Sequence, residues 1–385
     1  MTTTRDPAKP EAPPVPLAAL AWIALLTGML GFGGGFVVIG RIRRYVVEER
    51  RWMNDDAFLE HMAIASALPG TTATNAFTLV GSTLRGFTGA LVASVAFLLP
   101  SVALMIVFGA FYDRLRGLTG LTAFFEGMGA AVAPVVLAVA IELRKKALKT
   151  SVGWIVAAVS FGLLAFKLAP LVAVVLAAGL LGVVRARASL GARGSSMFAL
   201  QAAAAATVTG VSSWTLLWVF ARIGVATFGG GYAMIPEIAH EVVSRHWLDE
   251  RAFADAIAFG QITPGPVAIS ATFVGYRVDG LTGALAASAG IFGPPFVLCM
   301  IASRSFGAFR HNVLVRGFLS GVAPAVVGIV AAAAFSVARL AITDVRSAVL
   351  AAICMAVLLV RPKFSAIALL FGAAAVGYLW KRVAP

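Results

Sequence analysis

Charge is scarce in this chain. Of 385 residues only 12% are Asp, Glu, Lys or Arg, while 60% are apolar. A soluble domain carries roughly a quarter charged residues, so this composition cannot assemble a solvated surface. Cysteine is nearly missing as well. Cys299 and Cys354 both sit in apolar stretches, which argues against a disulfide framework or a thiolate metal site. The four histidines lack ligand spacing, and no motif calls for a cofactor. What the chain has in abundance is long apolar runs. Stretches of the roughly 20 residues needed to cross a ~30 Å hydrocarbon core recur from Leu17 to Trp380. The fold class is therefore an all-α polytopic membrane protein, with the lipid bilayer as its solvent.

The net charge of +14 does not point to nucleic acid. Basic residues fall in short clusters between apolar runs, such as Arg41, Arg43, Arg44, Arg50 and Arg51, or Arg144, Lys145, Lys146 and Lys149. That is the pattern of topology-setting loops beside anionic lipid. The first 16 residues are Thr/Pro-rich and read as a disordered tail without the features of a signal peptide.

An internal repeat organises the rest. Residues 28–35 read Gly-Met-Leu-Gly-Phe-Gly-Gly-Gly and residues 224–231 read Gly-Val-Ala-Thr-Phe-Gly-Gly-Gly. Trp52 is answered by Trp247, Pro69-Gly70 by Pro264-Gly265, Gly86 by Gly280, Pro100 by Pro294 and Pro134 by Pro324. The offset drifts only from 196 to 190, so order and spacing persist together. The reading is a first transmembrane repeat over 17–184, a linker over 185–213 and a second repeat over 214–385.

Each half contains a segment interrupted by Pro-Gly, over 57–84 and 252–277. Proline removes a helical hydrogen bond and glycine disfavours helix, so the segment either spans with a break or turns back as a re-entrant hairpin. If it spans, each half has six crossings and loop Lys/Arg divide 15 to 15, with Arg222 inside a helix left out. If it is re-entrant, each half has five crossings, the split becomes 18 to 12, and the second half is inverted. The inverted arrangement is preferred. Its richer side holds the loops near 41–51, 142–149, 185–193, 303–316 and 361–363. This count takes the Ala-rich stretch Met197–Val211 to lie along the membrane interface.

The breaks are candidate binding elements. A tetrahedral dianion needs several converging donors, and Gly-rich turns or half-helix N-termini supply them. The candidate substrate set in the first half is Gly33, Gly34, Gly35, Pro69, Gly70, Thr71, Thr72 and Asn75. In the second half it is Arg222, Gly229, Gly230, Gly231, Gln261, Thr263, Pro264, Gly265, Pro266 and Ser270. Small residues also serve close helix packing, and membrane Ser/Thr often bond only their own preceding carbonyls. Arg222 is costly inside an apolar helix. It attracts an anionic substrate, pairs with an acid or snorkels. Glu60 and Asp255, equivalent under the repeat, with Glu237 and His240, are the proton-coupling candidates, the alternative being solvated acids near helix starts.

The stretches 220–238 and 260–276, the latter reading Gly-Gln-Ile-Thr-Pro-Gly-Pro-Val-Ala-Ile-Ser-Ala-Thr-Phe-Val-Gly-Tyr, resemble the signature of the chromate ion transporter family in its tandem-duplicated form. The resemblance implies gradient-linked movement of chromate, and of sulfate as its analogue, across the bacterial cytoplasmic membrane, usually outward. It implies no enzyme activity, no nucleic acid and no cofactor, and leaves room for a homodimer. The first half departs from the pattern, with Leu26 in the place of Arg222 and Thr71 in the place of Pro266.

Overall fold

The computed structural model describes residues 15–31, 35–116, 119–189, 212–227, 231–304, 313–362 and 364–383. Gly33, Gly34, Gly229, Gly230 and the stretch Met197–Val211 lie outside the described residues.

The first half contains α1 (Leu17–Leu30), α2 (Gly35–Arg43), α3 (Asp55–Ala67), α4 (Thr72–Arg116), α5 (Thr119–Ala147), α6 (Ser151–Ala165) and α7 (Leu171–Ser189). The second contains α8 (Ser213–Ala226), α9 (Ile235–Ser244), α10 (Glu250–Ile262), α11 (Ser270–Arg304), α12 (Val313–Ala341), α13 (Val345–Val360) and α14 (Ala366–Val383). The repeat extends to backbone detail. Arg51 and His246 take φ of 53° and 57°, Gly70 and Gly265 take 101° and 118°, and Gly86 and Gly280 take 59° and 57°. Asn54 caps α3 by accepting from the Ala57 N–H, as Asp249 caps α10 by accepting from Ala252.

One irregularity explains a slip in the offset. A π-helix covers Arg44–Glu49. The Trp52 N–H bonds the Val46 carbonyl, six residues back, whereas Trp247 bonds Val242, five residues back. The wider π turn takes up one extra residue, so the offset is 196 before it and 195 after it.

The Pro-Gly segments turn back on themselves. His61 Nε2 lies 2.6 Å from Thr83 Oγ1, although a continuous helix would separate residues 22 apart by about 33 Å. In α3 and the following arm of α4, Leu68–Thr71 is the tip of a re-entrant hairpin. α4 is itself folded. Arg85 and Gly86 leave helical geometry, and arms 72–84 and 87–116 run back to back, with Thr78 Oγ1 2.8 Å from Ser94 Oγ. α11 does the same at Asp279 and Gly280, pairing Thr272 with Ser288 at 2.7 Å. A Cβ on Gly81 or Gly89 would strike the opposite arm's backbone, as would one on Gly275 or Gly283. These small residues let the arms touch.

The halves are inverted. The turn at Arg85–Gly86 caps one end of arm 87–116. Its other end meets the second half's turn, where Arg277 grips Asp113 at 2.8 and 3.0 Å and stands over the Tyr112 ring. Residues 87 and 113 are about 39 Å apart along a helix, so the two turns lie on opposite faces. The reciprocal contact is present, Ser82 near the first turn bonding Ser303 near the far end of α11 at 3.0 Å. α7 also packs antiparallel to α12, with Gly182 against Gly317 and Gly321 against Ala178, as α14 packs against α5.

The Gly-triplet segments bend back as well. Arg222 on α8 reaches Glu241 on α9 at 2.6 Å, where one straight helix would place them about 28 Å apart. In the first half, Arg85 donates to the Val15 carbonyl before α1, and Arg43 at the end of α2 bonds Asp55 at 2.7 Å. Each half therefore carries two re-entrant pairs ahead of its long helices, where the sequence predicts one pair and five crossings. The triplet segment folds back instead of spanning, and four crossing helices per half remain among the described residues. Described helix ends that border the loops expected on the richer side share a face. It gathers the ends of α2, α5, α7 and α11, with Arg85, Lys149 and Arg185. The ends of α7 and α8 that flank the linker reach opposite faces, since Ser213 bonds Asp279 at the second turn.

Candidate functional site

Four chain breaks meet in the middle of the molecule, and they are crossed. The Gly70 N–H donates to the Thr227 carbonyl at 2.6 Å, joining the first half's Pro-Gly break to the second half's triplet segment. Its repeat equivalent, the Gly265 N–H, donates to the Gly31 carbonyl at 3.4 Å. Both bonds satisfy backbone groups that a break leaves without helical partners. The positive φ at Gly70 and Gly265 turns the chain sharply enough for this approach. A Cβ at Gly70 would lie 2.6 Å from Pro295 Cβ, and one at Gly265 would run into Ser101 Oγ.

Around these bonds the candidate residues are distributed unequally. Gly231, at φ 96°, lies against Thr71, since a Cβ there would be 3.1 Å from Thr71 Cγ2. Thr71 and Thr74 share a buried hydrogen bond of 2.8 Å. Asn75 donates to the Pro69 carbonyl at 2.9 Å and the Ala65 carbonyl at 3.2 Å, so its amide braces the break. Thr72 opens α4 and Gly35 opens α2. Thr263 is buried beside Met105 Sδ at 3.6 Å, and Ser270 donates to the Val267 carbonyl at 3.0 Å. Pro266 precedes a single 3-10 turn over Val267–Ile269. Gln261 Oε1 accepts from the Tyr232 hydroxyl at 3.4 Å, and its Nε2 is a buried donor with no hydrogen-bond partner among the described residues.

The charged candidates stand apart from the crossing. Arg222 pairs with Glu241, which also accepts from Arg245 at 2.7 Å. The Arg222 Nε is buried without a hydrogen-bond partner among the described residues, so one in-plane N–H of the guanidinium is left unsatisfied. Asp255 accepts from the Tyr112 hydroxyl at 2.6 Å, and Glu237 accepts from the Leu171 N–H at 3.3 Å. Glu60 is partly buried at the mouth of the first hairpin, and His240 is exposed. Among the described residues, no group of three His, Cys, Asp or Glu could hold a metal.

Sequence reasoning did not single out Ser101, Thr227 or Glu241. Ser101 Oγ donates to the Pro264 carbonyl. Glu241 carried a signal in its spacing from Arg245, an i,i+4 pair. Ser101 and Thr227 carried none, because their role depends on which half they face.

The chromate transporter family model matches residues 18–183 and 214–378, one unit in each half. The chain belongs to the chromate transporter family. It is 32% identical over 375 residues to a chromate transport protein of Cupriavidus metallidurans, covering 95% of this chain and 94% of the relative. A chromate transport protein of Pseudomonas aeruginosa is 30% identical over 355 residues, 86% of this chain and 83% of its own length. An uncharacterised transporter of Methanocaldococcus jannaschii is 27% identical over 374 residues, 92% of each chain. No solved structure matches the chain. Members of this family are transporters rather than enzymes, and the chain is a multi-pass membrane protein that moves an anion.

Proposed function

We propose that the protein is a secondary transporter that exports chromate, with sulfate as its close analogue, from the cytoplasm of a bacterium. The substrate binds where the four breaks cross. The observation that carries this reading is the reciprocal pair of bonds, Gly70 N–H to Thr227 and Gly265 N–H to Gly31. They hold half-helix ends from both inverted halves around one locus, the arrangement that transporters use to bind ions near the midplane. Thr71, Thr72 and the Gln261 Nε2, which has no partner among the described residues, supply neutral donors there. Neutral donors suit a site that must also release its ligand.

Direction follows from charge. The face holding Arg41, Arg43, Arg44, Lys149 and Arg185 is cytoplasmic by the positive-inside rule, and it gathers anions at the entrance. Arg222 lies on the opposite side of the crossing, between the locus and the Asp279 turn, where it draws the dianion outward in competition with Glu241. Export of a dianion from a cell negative inside is electrically downhill by about 2.3 kcal/mol per charge per 100 mV. Asp255, Glu60, Glu237 and His240 are the positions at which proton coupling would enter.

The test is flux of chromate and sulfate through purified protein in liposomes, under imposed voltage and pH gradients. Saturable chromate flux that follows voltage and is competed by sulfate is expected. Saturable sulfate flux with no chromate flux would favour sulfate uptake or exchange. Absence of both would refute the substrate assignment.

A further inference from the structure

A cavity of about 740 Å³ lies beside the contact of α7 with α12, walled by α7, α8, α11 and α12. Its inner end is Leu68 and Pro69 at the first break, and its walls include Leu298, Phe318 and Leu319. It opens sideways between exposed apolar residues: Leu180, Val184, Val225 and Ile301 are 53, 62, 47 and 58% accessible. Among the described residues, the one charged lining residue is Arg187.

The pattern on α7 has a length. Val172, Leu176, Leu180, Val183 and Arg187 all line the cavity, and their spacing puts them on one helix face. From Val172 to Val183 the helix rises about 16 Å, close to one leaflet of a ~30 Å hydrocarbon core. Arg187 stands about 6 Å further on, at headgroup depth, on the face that carries the basic loops. An apolar space of this size, open to the membrane interior, is filled by acyl chain at no cost in polar desolvation. A cation at its outer end selects an anionic headgroup.

We infer that this crevice is a binding site for one anionic phospholipid, with an acyl chain along α7 as far as Pro69 and the phosphate at Arg187. Both halves line the cavity, so a chain lodged there bears on the first break from the side. The site depends on the membrane fold alone and would exist whichever oxyanion is carried.

The experiment is electron paramagnetic resonance of the full chain in phosphatidylcholine bilayers. Spin-labelled phosphatidylglycerol or phosphatidylcholine is added as the probe. In the unmodified protein the motionally restricted fraction favours phosphatidylglycerol about five-fold, the factor equivalent to about 1 kcal/mol per cation near a membrane surface. Arg187→Gln abolishes the preference while the chain stays restricted. Leu176→Trp, and independently Val183→Phe, lower the restricted fraction for both lipids in protein that still elutes as one species. Equal restriction of the two lipids by the unmodified protein would overturn the proposal, as would unchanged spectra from both filled variants. Displacement of the label by glycerol phosphate would reassign the site to a free anion. Restriction that falls as protein is concentrated would assign the crevice to a second copy of this chain.

Discussion

The two halves share a backbone but not a chemistry. Arg51 and His246, Gly70 and Gly265, and Gly86 and Gly280 share left-handed φ. The Asn54 and Asp249 caps match, and the folded arms and crossing bonds correspond, while Gly231 and Lys167 have no left-handed counterpart among the described residues. Their charges correspond only in part, as at Glu60 and Asp255. Arg222 and Glu241 of the second half correspond to Leu26 and Tyr45 of the first, and Glu237 corresponds to Arg41. The positions of an ion pair in one half hold uncharged residues in the other, so the pair is not needed for the fold that both halves adopt. Symmetry therefore reports on architecture, and its violations report on the direction in which an anion moves.

The crossing glycines give the largest expected effect. Gly70→Ala or Gly265→Ala forces a side chain against Pro295 or Ser101 at a φ that disfavours it. Chromate flux in liposomes should fall at least about ten-fold, equivalent to about 1.4 kcal/mol or more lost at the site. Gly86→Ala is the control. Gly86 has φ 59° with nothing within 4 Å of an added Cβ. With ψ −146° it sits in a region open essentially to glycine, so the change should cost about 1–3 kcal/mol of stability, with KM for chromate unchanged. Loss of flux from Gly86→Ala equal to that from Gly70→Ala would dissolve the distinction between turn and site.

Next is the broken symmetry itself. The double variant Arg222→Leu with Glu241→Tyr copies the first half's pair into the second. Protein of normal thermal stability is expected, with KM for chromate raised by roughly ten-fold, or about 1.4 kcal/mol of lost attraction. A normal KM would make the ion pair purely structural. Arg222→Leu alone should be worse for stability, because it leaves Glu241, 13% exposed, with Arg245 as its one remaining ion-pair partner among the described residues.

Ser101→Pro is smaller. It gives the first half the residue that stands at the equivalent position, Pro295, and removes the bond to the Pro264 carbonyl. Flux should drop a few-fold, equivalent to about 1 kcal/mol for one lost hydrogen bond, while Ser101→Thr retains it. Least is the cap of α13. Asp344 accepts from the Ser347 N–H and hydroxyl, and these bonds hold its carboxyl below the usual carboxylate range. Asp344→Ala should cost about 1 kcal/mol in thermal unfolding. Because the folded carboxyl is the stronger acid, this stabilisation is present at neutral pH and disappears as pH falls through its lowered value. Asp344→Ala should therefore flatten the acid limb of the stability curve.

Much of the fold could be read from residue order alone. The paired Gly, Pro and Trp positions announce the repeat, and the uneven loop charge points to inversion, because both are one-dimensional signals. The re-entrant turn at Pro69-Gly70 was legible for the same reason. The doubling back of α8 on α9 was not, since Arg222 and Glu241 are 19 residues apart and only three-dimensional contact joins them. The crossing was also hidden. Nothing in Pro-Gly says whether its N–H will meet its own half's triplet or the other's, and Ser101 gains its role only because Pro264 of the opposite half lies beside it. Asn75 looked like an anion donor by residue type, yet its amide is taken up by the Pro69 and Ala65 carbonyls.

Chromium itself can report where the anion sits. An anomalous difference map, from crystals of this protein grown with chromate and recorded near the chromium absorption edge, locates the metal without an assumption about the site. The account predicts one peak at the crossing, bounded by Gly70–Thr72 on one side and Gly265–Ser270 on the other. A peak at Arg222 alone, or on the basic face with none at the crossing, would contradict it.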